Sequence, residues 1–221
     1  MTIPGSFYSL IKDRFPVVTQ RPASTFGMHV ANGEALISND LISQFRSKSN
    51  SCLIQLSSQM LTVNQVSGYT SWEDFFPNIV LALKSLEQVL KIDQVVRFGL
   101  KYINKLESQE HSFENFRRIL NLQPLLQQGQ FPYEPSSIQL NMEFAKVPKK
   151  EVLATTIATL NPEPPIKAPI LFELYYVYIE QKEYNRSFIL DWLETTAHSG
   201  INAAFESFLR EEFRKTFDPI V

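Results

Sequence analysis

The chain of 221 residues contains one cysteine, seven glycines, three histidines and two tryptophans. Each scarcity excludes something. A single thiol, Cys52, can form neither an intramolecular disulfide nor a multi-cysteine zinc site, and it suits a reducing compartment such as the cytosol. The glycines are scattered singly, so a phosphate-cradling Gly-rich loop cannot form. Patterns of the Gly-x-Ser-x-Gly, His-Glu-x-x-His and calcium-loop types are missing as well. The common nucleotide-binding and hydrolase signatures therefore fail, and no cofactor is expected. No window approaches the ~18–20 apolar residues that a membrane span needs, and the start "MTIPGSFYSLIKDRFPVV" lacks a basic region followed by an apolar stretch. The expectation is a soluble, cytoplasmic protein with no membrane partner. A formal charge of −2 gives no overall pull toward nucleic acid.

What is present suits a packed core. Hydrophobic residues make up 44% and charged residues 20% of the chain, so disorder of the whole chain is excluded. Alternation in "SFYSLIKDRFPVV" predicts a strand ended by Pro16. "NSCLIQLSSQMLTVNQV" predicts two strands joined near "SSQ", or one bent strand. The period then changes: Ser71 caps a helix over 72–91, with Phe75, Ile79, Val80, Leu83, Leu86 and Leu90 at helical spacing. "RFGLKYINKLES" returns to period two, and "SFENFRRIL" reads as a short helix. Gln- and Pro-rich residues 121–137 read as a loop, and any domain seam falls there. Three further strands follow in "SIQLNMEFAK", "EVLATTIATL" and "APILFELYYVYIEQ", the last apolar on both sides apart from Glu173 and so expected at the centre of the sheet, covered on both faces. An amphipathic helix over 188–215, interrupted by Gly200, ends the chain. Together these predict one α+β domain over 1–221. It has an antiparallel sheet of about six strands, the usual sheet size, under two main helices, the longer one C-terminal.

Two motifs carry a resemblance. "GLKYIN" (99–104) and "HSGINAAFE" (198–206) resemble the G-L-[RK]-Y-I-N strand and H-x-x-I-x-x-x-F-E helix of a sporadically distributed family of uncharacterised bacterial proteins. "SWEDFFP" has the position and aromatic character of a third feature of that family. The resemblance implies no established activity. Its patchy occurrence implies a gene that moves horizontally, as defence and toxin–antitoxin genes do.

Candidate chemistry is sparse. Arg97 and Lys101 flank Gly99 on one strand face, with Asn104 nearby in the same motif. They either line an anion-binding surface or face water, and a partner such as Glu143 on a neighbouring strand would satisfy the second reading. Glu194, His198, Asn202 and Glu206 recur at intervals of four and share one face of a continuous helix, as a metal site or proton relay requires. A helical His beside Glu is more often a polar contact, and His29 and His111 stand in unrelated contexts. Cys52 sits in an apolar strand, where a thiol is most often inert packing.

Function divides accordingly. The first reading is a non-enzymatic interaction or regulatory protein, set by the family resemblance in bacterial defence or toxin neutralisation. The alternative is an enzyme or small-anion sensor with a polar cleft formed by Arg97, Lys101 and His198. A helix of about 28 residues would run roughly 40 Å and overhang the sheet. Phe213 and Phe217 on that overhang predict a two-fold homodimer, with a heterologous protein as a further partner.

Overall fold

A computed structural model describes residues 2–28, 35–107, 118–121, 137–145, 150–161 and 169–215; for 23–28 and 35–40 only the backbone is described. Contacts cluster into two units, Met1–Ile92 and Asp93–Val221. The fold is α+β, and its strands form two antiparallel sheets of four strands each instead of the single six-stranded sheet expected.

The first unit opens with helix α1, Ile3–Ile11, where a strand was predicted. Thr2 caps it through a 3.4 Å hydrogen bond from the Gly5 amide, and Pro4 occupies the first turn, where its missing N–H costs nothing. Phe7, Ile11 and Phe15 explain the misreading. Spaced by four, they satisfy period two and the helical repeat alike, and only the helix leaves Ser9 and Asp13 off the buried stripe. Strands β1 (Val17–Met28), β2 (Ala35–Arg46), β3 (Cys52–Leu56) and β4 (Leu61–Gln65) follow in sequential order. β1 and β2 pair along their whole length, whereas β2 meets β3 only over Ser43–Arg46. The predicted pair of strands around "SSQ" is β3 and β4. Helix α2, Trp72–Val89, begins as predicted, with Ser71 Oγ accepting from the Asp74 amide at 3.2 Å. One core joins Phe7, Ile11 and Phe15 to Phe45, Cys52, Ile54 and Leu56 of the sheet and to Ala82 and Leu86 of α2.

In the second unit, β5 (Gln94–Leu106), β6 (Gln139–Ala145), β7 (Glu151–Thr159) and β8 (Ile170–Glu183) pair in the order β5-β8-β7-β6. β8 is central, as expected. Its even-numbered residues are buried from Ile170 to Tyr178, whereas on the other face Val177 is buried, Leu171, Glu173 and Tyr175 are half-buried and Ile179 is exposed. A continuous helical run lies on the covered face: α3 (Arg186–Asp191), a π-helical segment (Trp192–His198) and α4 (Ser199–Phe208). Trp192 contacts Phe98, Tyr176 and Tyr178, and Phe205 and Phe208 contact Phe172. The predicted helix to residue 215 stops early. Leu209 is extended, with φ −86° and ψ 141°, and bridges Leu120, after which only the short α5 (Glu211–Arg214) follows. The length that made an overhang is therefore divided into two pieces. Phe213 is half-buried, and Phe217 lies outside the described residues, as do His29, His111 and nearly all of the proposed seam.

Two contacts seat the helical run. Glu151 accepts a hydrogen bond from Trp192 Nε1–H at 2.9 Å and another from the Tyr176 hydroxyl at 3.2 Å. Gly200 lies against the Tyr176 ring, where a Cβ would come within 2.6 Å of Cε1. An ordinary helical Gly→Ala change gains about 1 kcal/mol. Here Gly200→Ala is expected to lose stability, since the ring it displaces is held by Glu151 and by Trp192. Urea unfolding reads the sign directly, and a gain would show that Tyr176 gives way.

Candidate functional site

Strand β5 separates two environments. Phe98, Leu100 and Tyr102 point to the helical run, and Arg97, Gly99, Lys101 and Ile103 point the other way, as period two requires. On that outer face the pairing register sets Lys101 opposite Tyr175, Ile103 opposite Glu173 and Arg97 opposite Ile179. Lys101 Nζ forms a 2.8 Å ion pair with Glu173, not with Glu143, and Asn141 accepts from Thr156 at 3.0 Å. Half-exposed pairs of this kind contribute little to stability, about 0–1 kcal/mol. They do show that much of the face is internally satisfied.

Gly99 has a specific reason to be glycine. A Cβ there would stand 2.6 Å from the Tyr176 carbonyl oxygen and 2.8 Å from Cε2 of Tyr175, so the Tyr175 ring lies down over the space that Gly99 leaves. An aromatic laid across a strand glycine is a known way to stabilise that position. The ring in turn positions Arg97. Arg97 Nε donates to the Tyr175 hydroxyl at 3.1 Å, and the guanidinium carbon lies 5.2 Å from the ring centre. Exposed Ile103 and Ile179, at 63% and 48%, flank this pair on the same face.

The His198 ladder is divided. Residues 192–198 are π-helical, and this wider turn removes the four-residue stacking of Glu194 on His198, while the α-helical step from His198 to Asn202 is kept. Glu194 is exposed and meets no polar partner among the described residues. His198 is sandwiched between the Tyr102 hydroxyl, 2.8 Å from Nδ1, and the Asn202 amide, 3.2 Å from Nε2. Glu206 pairs with Arg214 at 3.0 Å, and Asn104 donates to the Phe172 carbonyl at 3.3 Å. His198 therefore sits on the covered side of the sheet and Arg97 and Lys101 on the open side, so the three do not line one cleft. Among the described residues no group of three or more His, Cys, Asp or Glu side chains could hold a metal.

Two hollows open elsewhere, one of about 360 Å³ lined by Lys182, Tyr184, Asn185 and Phe188, the other of about 430 Å³ lined by Glu206, Ser207, Leu209 and Arg214. Neither includes Arg97, Lys101 or His198. Near the first, the Tyr178 hydroxyl donates to Glu180 at 2.7 Å, and that bond, with burial, pushes the phenol up to about 12. Lys150, ahead of Tyr178, holds the Glu180 carboxyl below the usual range. Burial pushes the Cys52 thiol up, which keeps it protonated and inert. Among the described residues no helix is long and apolar enough to cross a membrane.

Sequence reasoning missed Tyr175 and Glu173 as the partners of the β5 cations. Alternation in "LFELYYVY" does place both on one strand face, but the register that brings them beside Arg97 and Lys101 is not in the local sequence. No protein-family model matches the chain, and no curated protein or solved structure matches it either.

Proposed function

We propose that this is a non-enzymatic interaction protein whose partner, another protein, docks on the outer face of the β5–β8 pair. The observation that carries the reading is the composition of that face: Ile103 and Ile179 stand exposed on either side of an ordered Arg97–Tyr175 pair. Tyr and Arg beside exposed aliphatic side chains are typical of interface centres, where a few residues carry most of the binding energy. Ile103 and Ile179 are too exposed to enclose a small molecule, which suits the surface of a protein better. The family resemblance suggests a setting in bacterial defence or toxin neutralisation, with the chain as a recognition or neutralising component.

The test is co-purification from the native host with the tagged wild type, Ile103→Asp, Ile179→Asp, and Leu41→Asp as an exposed control in the first unit. A partner retained by the wild type and the control, and depleted at least about tenfold by either β5–β8 variant, supports the reading. An identical set of bound proteins in all four samples overturns it.

A further inference from the structure

We infer that Arg97 is the anchor of that face and takes a carboxylate of the docking protein; the inference rests on the docking reading above. Lys101 already has Glu173, whereas Arg97 makes no ion pair among the described residues. Among the described residues its side chain meets only Tyr175, whose hydroxyl engages Nε and leaves both Nη groups for another acceptor. A guanidinium fork matches a carboxylate in two parallel hydrogen bonds.

What distinguishes this arginine from an ordinary exposed one is its support. The space left at Gly99 admits the Tyr175 ring, and the ring's hydroxyl fixes Nε. A side chain that is usually free to rotate is thus held before any partner arrives, which lowers the entropy lost on binding. The apolar flanks, Ile103 and Ile179, partly exclude water from the contact, and a charged hydrogen bond strengthens as water leaves. The fitting group is an Asp or Glu side chain, or a chain terminus, set among apolar residues of the partner. The role of Gly99 is indirect: it positions Tyr175, which positions Arg97.

The test needs no partner. Arginine side-chain Nε–H resonances of the full chain are followed by NMR while sodium acetate is added against sodium chloride at constant ionic strength. Arg97 is expected to move saturably with acetate and to respond more strongly than Arg21 and Arg46 of the first unit. Gly99→Ala, which displaces the ring, and Tyr175→Phe, which keeps the ring and removes only the Nε acceptor, are both expected to raise the acetate midpoint about fivefold or more. The same spectra show whether each variant is folded, and Tyr175→Phe carries the test if Gly99→Ala is not. An Arg97 response no larger than that of Arg21 and Arg46, or one unchanged by Tyr175→Phe, overturns the inference. Because the titration involves only acetate, it can fail while the Ile103 and Ile179 co-purification succeeds, and the reverse holds too.

Discussion

Glu151→Ala is expected to lower the thermal midpoint of the protein by roughly 6–12 °C, the shift that about 3 kcal/mol produces in a domain of this size. One carboxylate satisfies two donors, Trp192 Nε1–H and the Tyr176 hydroxyl, and both of those residues are buried. Alanine removes the acceptor without removing the donors, which is the expensive way to break a hydrogen bond. Glu151→Gln separates this cause from lost packing. It keeps one carbonyl acceptor and presents an N–H₂ to the other donor, so about half of the loss should remain. Equal midpoints for wild type and Glu151→Ala in a thermal scan would mean that other groups or water replace the carboxylate.

Phe45→Ala should be the more damaging core change, at about 3–5 kcal/mol in chemical unfolding. Phe45 is 1% exposed, with Phe7 5.3 Å and Tyr8 6.1 Å away between ring centres, so it ties the first sheet to α1. Among the described residues, the first sheet contributes only Phe45 to the aromatic members of that core. Phe45→Leu, which refills much of the volume, should recover more than half of the loss. A cost below 1 kcal/mol for the alanine variant would show that α1 does not depend on this contact.

The parts of the fold that were legible are those in which one period or one cap has no competitor. α2 is announced by Ser71 and by apolar residues that only a helix brings together. β5 and β6 are announced by alternation, β7 by β-branched residues and β8 by a long apolar run. α1 was not legible, because Phe7, Ile11 and Phe15 obey two periods at once. β1 and β2 give no clean alternation, with Pro22 and Gly27 in the first and polar side chains such as Ser43 and Gln44 buried in the second. Both belong to the first sheet, which the single-sheet expectation lacked. In the candidate site, the outward direction of Arg97 and Lys101 was legible. The identity of their partners was not. Cross-strand neighbours depend on register, and a β-bulge between Val95 and Arg97 shifts it. The His198 ladder failed for a similar reason, since a π-helical turn has no sequence signature comparable to a cap.

The strand order β5-β8-β7-β6 also governs how the chain assembles in time. β7 and β8 meet through a short connection, with Thr159 opposite Ile170, and β6 joins β7 more locally still, with Ala145 opposite Val152. β5 must wait: its end, Leu106, pairs with Ile170 only after a chain segment of more than sixty residues has closed on itself. Loop-closure entropy rises with the logarithm of that length, and non-local pairings of this kind slow folding. The three-stranded β6–β7–β8 meander can therefore form first, with the β5-facing edge of β8 unpaired until β5 arrives. Until that step Tyr175 has no Gly99 to lie over, so the surface around Arg97 is among the last features of the second unit to take shape.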